Sequence, residues 1–302
     1  MAPSITVVPA STRVGTETIR QLLASPEKPS VRGIYRDTAK APFEYTSNPN
    51  FEAVKGDVET GIGLDFTGSD GVLYVPPPIY QKKMDLADWA ELTATNVKIA
   101  LHQSNVEKLV VSSGLGARYK HGVGLARLNH ETDRILKDAA REVTVLHCTH
   151  FLEEWSYIFQ MPLGDPPSIT SWVAPADYKI AMVSIKDIAK VSVKSLLRDS
   201  QQPGFHCVKV LGPRLCSSND LKDAFEEVTG HKVKLELAQG DDLKAMLGHL
   251  FPEHCIPDIL EVLEASLPGG LIATEYGYDE NTFTGKVELV DVIRELHKKY
   301  NE

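Results

Sequence analysis

The chain has 302 residues, 42% of them hydrophobic and 24% charged, with a formal net charge of −9. That length allows one elaborated domain or two lobes with ample core, and the fractions are those of an ordinary soluble globular protein. The acidic balance excludes non-specific nucleic-acid binding, and no apolar run approaches the roughly 18 residues of a membrane span, so neither nucleic acid nor membrane is an expected partner.

Residues 5–8 are an apolar, β-branched run that breaks at Pro9, passes Ser11 and Thr12 and enters an amphipathic helix over 16–23. Strand, tight turn and helix open a dinucleotide-binding βαβ unit, whose turn carries three glycines with separate jobs. Here Pro9 and Thr12 hold the first two places and Gly15 the third, so the helix can still pack on the strand. Pro9 restricts the turn, and Thr12 puts a branched side chain where phosphate oxygens come closest. Ser11, Thr12, Arg13 and Gly15 at a helix N-terminus remain an anion site of altered chemistry. Weak NADPH binding at best is the expectation. A second strand over 31–35 ends at Arg36-Asp37, the point that faces the adenosine ribose. Arg36, backed by Lys40, favours NADPH over NADH.

Further strands are expected over 51–54, 71–75, 108–113 and 143–146, with helices over 86–103 and 125–140. Such alternation predicts an α/β fold, a doubly wound parallel sheet of the Rossmann-like kind. Its crevice gathers Pro9 to Arg13, Pro76 and Pro77, Ser112 and Ser113, and Thr149 and His150. The remainder reads as a smaller, mainly helical C-terminal lobe. It has a helical stretch over 151–161, a Pro/Gly/Ser-bearing loop from Pro162 to Pro175, and a helix entered through 183–189. A strand over 207–211, a helix over 221–228, a strand over 231–237 and helices over 241–267 and 286–299 follow. The expected division is a nucleotide-type domain over 1–150, with 178–200 packing back on it, and a substrate lobe over 151–302. No signal-peptide pattern follows Met1, and Cys148, Cys207, Cys216 and Cys255 lack C-x-x-C or zinc spacing. A cytoplasmic protein with reduced thiols and no metal is expected.

Taken in order, these segments resemble the NmrA-like proteins, atypical members of the short-chain dehydrogenase/reductase superfamily. The opening turn, Val31-Arg32-Gly33-Ile34-Tyr35-Arg36-Asp37, Gly56-Asp57, Val110-Val111-Ser112-Ser113, Phe151-Leu152-Glu153-Glu154-Trp155, Leu211-Gly212-Pro213 and Gly230-His231-Lys232-Val233 carry the likeness. The first segment looks most like fungal members, many of them similar to tailoring proteins of secondary metabolism. The resemblance implies an NAD(P) cofactor, glycines where Pro9 and Thr12 stand, and a serine after the fifth strand. It also implies a Tyr-x-x-x-Lys pair on the next helix. Ser112 and Ser113 are present, but residues 125–131 contain neither tyrosine nor lysine, and Lys120 is adjacent to Tyr119 rather than one helical turn away.

Proton transfer then falls to His130, Tyr119, Ser113 and His150, since histidine exchanges protons near neutral pH. His147 alternates within a strand and reads as packing. Ser11, Thr12, Arg13, Gly15, Arg36 and Pro76 are the cofactor candidates. His121, Phe151, Trp155 and Tyr157 are candidates for the pocket of a small apolar substrate (polyketide, aromatic or terpenoid). Three functions compete. The first is a tailoring enzyme of non-redox proton-transfer type (isomerase, cyclase or dehydratase). The others are an NADPH-dependent reductase and a non-catalytic NAD(P) sensor; an oligomer is compatible with each.

Overall fold

The computed structural model describes residues 2–80, 82–161, 163–199 and 203–301, so Pro162 of the expected 162–175 loop lies outside the described residues. The first strand, β1 (Ser4–Val8), is buried along nearly its whole length, as a strand covered on both faces must be. Helix α1 (Arg13–Leu23) starts three residues earlier than its apolar pattern implies, because the Thr12 hydroxyl accepts the Gly15 N–H and caps it. β2 (Ser30–Tyr35), a short α2 (Phe43–Thr46), β3 (Phe51–Lys55), β4 (Gly71–Tyr74) and α3 (Leu86–Gln103) follow. β5 (Lys108–Gly114), α4 (Arg127–Leu136) and β6 (Glu142–Cys148) complete the alternation.

The sheet has eight strands in the order Thr282–Thr284, Gly204–Leu211, β6, β5, β4, β1, β2, β3. Every pairing from β3 through to β6 is parallel. This is the doubly wound, Rossmann-like arrangement, and its strand order reverses between β1 and β4. One face of the sheet packs Val72, Tyr74, Leu109, Val111, Val143 and Val145 against Ala94, Val97 and Leu101 of α3 and Leu136 of α4.

The chain divides into two compact units. Residues 1–120, 126–148 and 188–209 form the first, and 121–125, 149–187 and 210–302 the second. The second is rich in helices and differs in detail from the periodic pattern. The stretch 241–267 is two helices, Gly240–Leu250 and Ile256–Ala265, because Phe251 is extended and Pro252 lacks the N–H that would continue the first. The Pro/Gly/Ser loop contains a strand, Ser168–Ser171, paired in parallel with Lys234–Leu237. Residues 152–159 form a 3-10 helix.

Burial pushes the Cys148 thiol up to about 12, and raises the Tyr35 and Tyr45 phenols to about 12 as well. In an unfolded chain such groups ionise near ~8.5 and ~10. The folded state therefore keeps protons that the unfolded chain releases. Their contribution to stability is whole below about pH 8.5 and declines as pH rises towards about 12. Urea midpoints measured from pH 8 to pH 11 should fall steadily, and a flat series would contradict this account.

Candidate nucleotide-binding site

The turn between β1 and α1 is bound mainly to itself. Thr12 Oγ1 donates to the Pro9 carbonyl at 3.0 Å and accepts the Gly15 N–H at 3.0 Å, so the branched side chain folds back onto its own loop. Thr16 Oγ1 donates to the Ala10 carbonyl at 3.1 Å. A Cβ on Gly15 would lie 2.7 Å from Thr12 Oγ1 and 2.8 Å from the Pro9 oxygen. Only glycine allows that closeness, which is the packing task expected of the third place. The first turn of α1 carries no acidic residue, so the positive end of its dipole is undiluted. Thr12→Ala should destabilise the fold by about 1 kcal/mol, read from urea unfolding, and Thr12→Gly by only a few tenths of that order.

Ser11 and Thr12 line one wall of a cavity of about 130 Å³, with Arg36, Asp57, Pro77 and Trp89 among its other walls. Arg36 is exposed and, among the described residues, has no hydrogen-bond or ion-pair partner. Its acidic neighbour is turned away, since Asp37 Oδ1 accepts the Ala39 N–H at 3.1 Å and caps the short 3-10 helix Thr38–Lys40. The end of β2 therefore offers the cavity a cation, while the carboxylates on that cavity, Asp57 and Glu59, come from the turn after β3 and engage the Glu59 N–H and Lys82. Trp89 Nε1 donates to the Pro77 carbonyl at 2.8 Å, and Lys82 pairs with Glu59 at the rim. Pro76 is buried and is not among the lining residues, whereas Pro77 and Pro78 are. A helix N-terminus, a hydroxyl and an uncommitted guanidinium on one cavity are the donors that a phosphorylated ribose requires. The residues fit a nucleotide carrying a 2′-phosphate.

The remaining candidates of the first unit sit around the C-terminal end of β5. Ser112 and Ser113 point to opposite faces, the former towards the Cys148 thiol and the latter towards α4. Ser113 Oγ donates to Asp133 Oδ2 at 3.0 Å. His130 Nδ1 lies 2.7 Å from the Ala117 carbonyl oxygen. A carbonyl can only accept, so Nδ1 carries the proton and Nε2 is left as the acceptor of the neutral ring. Asn129, one residue earlier, packs so closely on Gly114 that a Cβ there would meet its Nδ2 at 2.6 Å. The Tyr119 hydroxyl is bonded by the Arg118 guanidinium, which also lies over the ring.

In the second unit, His121 is exposed. His150 Nε2 lies 2.8 Å from Ser266 Oγ, which itself donates to the Val262 carbonyl, so the imidazole is the donor of that pair. Its ring packs against Trp172, and Nδ1 lies 3.7 Å from a Glu154 carboxylate oxygen. Trp155 and Tyr157 are core side chains rather than an open aromatic face. Both are buried, with indole Nε1 donating to Met182 Sδ and the phenol donating to the Thr170 carbonyl. Phe151 is half-buried beside them in sequence, in the strand His150–Phe151. Glu153 binds the Ser184 hydroxyl and the Ile185 N–H, and so caps the helix Ile185–Leu197. Sequence reasoning missed Asp133 and Asn129. Their one signal was spacing: both lie on the face of α4 that also carries Leu136, the face turned to the sheet.

Sheet order and the first turn together define the class, a Rossmann-like α/β protein whose candidate nucleotide site lies at the ends of its parallel strands. The chain belongs to the NAD(P)H-binding family, whose sequence model matches residues 10–199. Triphenylmethane reductase of Citrobacter sp., solved with NADP(H), has a similar structure at a TM-score of 0.77 and 16% identity. That match covers 97% of this chain and 99% of the other. The NADPH-dependent quinone oxidoreductase QOR2 of Escherichia coli, solved with NADPH, matches at a TM-score of 0.76 and 18% identity over the same shares. In sequence, the photosystem II assembly factor Ycf39 of Cyanophora paradoxa is 24% identical over 242 residues, 77% of this chain and 70% of that protein. No helix among the described residues is long and apolar enough to cross a membrane.

Proposed function

We propose that this protein is an NADPH-dependent reductase of the NmrA-like, atypical short-chain dehydrogenase type, acting on a small apolar acceptor. The observation that carries the reading is Arg36, a guanidinium without a partner among the described residues on the cavity that Ser11 and Thr12 line. Support comes from the family, and from two similar folds, a triphenylmethane reductase solved with NADP(H) and an NADPH-dependent quinone oxidoreductase. The proton-transfer reading without a coenzyme takes Pro9 and Thr12 as obstacles to the diphosphate. With the Thr12 side chain folded into the helix cap, the part of the objection that rests on Thr12 loses force, and the family and the similar folds support the reductase better.

In this reading the α1 N-terminus, Ser11 and Arg13 hold the diphosphate and Arg36 holds the 2′-phosphate. NADPH, when bound, supplies a hydride. Ser113 handles the proton, and His130, held by Ala117, keeps one at Nδ1 and presents Nε2. A cytoplasmic, fungal-type role in secondary metabolism, with a polyketide, aromatic or terpenoid acceptor, belongs to the same proposal.

Calorimetric titration with NADPH and NADH, followed by NADPH oxidation with a quinone and a triphenylmethane dye, tests it. Stoichiometric binding with NADPH preferred, and turnover of either acceptor, is the expected result. Failure to bind NADPH returns the scaffold to coenzyme-free chemistry. Tight binding without turnover of any acceptor favours the sensor.

A further inference from the structure

The apolar rows of β5 and β6 that face α4 end in polar residues. Leu109 and Val111 are followed on that face by Ser113, and Val143 and Val145 by His147, its partner in register. Asp133, on α4, takes the Ser113 hydroxyl at 3.0 Å and His147 Nε2 at 3.0 Å, both on Oδ2. Asp133 is buried, and its other oxygen, Oδ1, has no partner among the described residues. The Cys207 thiol is near enough to be pushed up by that carboxylate, after burial itself. A purely structural tie would satisfy both oxygens, since a buried carboxylate oxygen without a partner is costly. Three elements are joined through one atom, with the serine at the end of the row where ligands of parallel sheets bind.

We propose that Ser113, Asp133 and His147 form a proton-delivery row serving the substrate oxygen, with Ser113 as donor and Asp133 and His147 as positioning residues behind it. This rests on the reductase reading and names the groups that stand in for the missing Tyr-x-x-x-Lys pair. In the resting state Ser113 donates to the carboxylate. Reduction of a carbonyl or quinone forms a bond from hydride to the acceptor, breaks the C=O π bond and leaves the electron pair on oxygen. That oxygen takes the Ser113 proton; Asp133 Oδ2 takes the Nε2 proton of His147 and passes it to Ser113 Oγ, so the aspartate ends as the carboxylate it began as. The row runs from the doubly protonated imidazole, which ends neutral. Its side chain keeps 16% of its surface exposed, so solvent can restore the proton.

The test uses the full chain with NADPH and a quinone, comparing wild type, Asp133→Asn, Ser113→Ala and Ser113→Thr. Asp133→Asn and Ser113→Ala should lower kcat by about 100-fold, with KM changed less than about threefold and the calorimetric NADPH Kd within about twofold. Ser113→Thr, which keeps a hydroxyl, should restore most of the turnover. In unliganded wild type the His147 Nε2 proton should be held against solvent exchange in nitrogen-15 spectra, and released about tenfold faster in Asp133→Asn. If Asp133→Asn does not fold, Ser113→Ala and its threonine rescue decide in the same way. Variant turnover within threefold of wild type, or an unprotected His147 proton, overturns the row and leaves the reductase standing. A wild type that oxidises no NADPH overturns both.

Discussion

Arg36→Glu should weaken NADPH binding by about 100-fold, while NADH binds as well as before or better. A guanidinium that pairs with a phosphate makes charge-assisted hydrogen bonds of about 1.5–3 kcal/mol, and reversing the charge adds repulsion. Roughly 3 kcal/mol in total is a little over a hundredfold in Kd. An acidic residue at the end of the second strand favours a free 2′-hydroxyl, so NADH loses nothing that Arg36 supplied. Because Arg36 is exposed and has no partner among the described residues, the substitution leaves the fold untouched and the comparison stays clean. Equal loss for both coenzymes in calorimetry would show that the guanidinium does not lie at the ribose.

The second large effect concerns the other unit. Asp187→Ala should destabilise the protein by about 3 kcal/mol, because two part-buried N–H groups lose the buried carboxylate that accepts from both. Asp187 is only 3% exposed, and its Oδ2 accepts from both the Lys286 and the Val287 N–H at 2.9 Å. Gly285 lies so close that a Cβ would stand 2.5 Å from that oxygen. Asp187 also lies in the first turn of the helix Ile185–Leu197, where the dipole favours a negative charge. Asp187→Asn keeps an acceptor oxygen and should fall between wild type and alanine. Thermal unfolding would show a melting temperature lower by about 5–10 °C for the alanine variant. An unchanged melting temperature would mean that this turn is held by other contacts.

Much of the architecture was legible because it rests on local pattern. The apolar runs at 5–8, 108–113 and 143–146, set in an alternation of strands with helical periods, specify buried parallel strands through residue type alone. The places of Gly15 in the first turn and of Arg36 at the end of β2 were legible for a related reason. Their positions follow from counting along a βαβ unit whose geometry varies little. Boundaries were less legible where a cap or a proline intervenes, as at Thr12 and Pro252, since one side chain overrides a periodic signal there.

The chemistry of the candidate site depended on facts without a local signature. Thr12 reads as an obstacle in sequence, and only the folded turn shows its hydroxyl bonded to Pro9 and Gly15. Trp155 and Tyr157 read as a ligand surface, yet their polar atoms meet Met182 and Thr170, partners brought up by other segments. The union of Ser113, Asp133 and His147 is the clearest case. By itself the sequence determined the order and type of the elements, the acidic balance and the position of a nucleotide-type turn, because each follows from short-range periodicity and composition. Which way each polar side chain points, and which donors share one carboxylate oxygen, only the tertiary structure decided, because hydrogen bonds between residues 20 or 14 positions apart depend on how strands and helices pack.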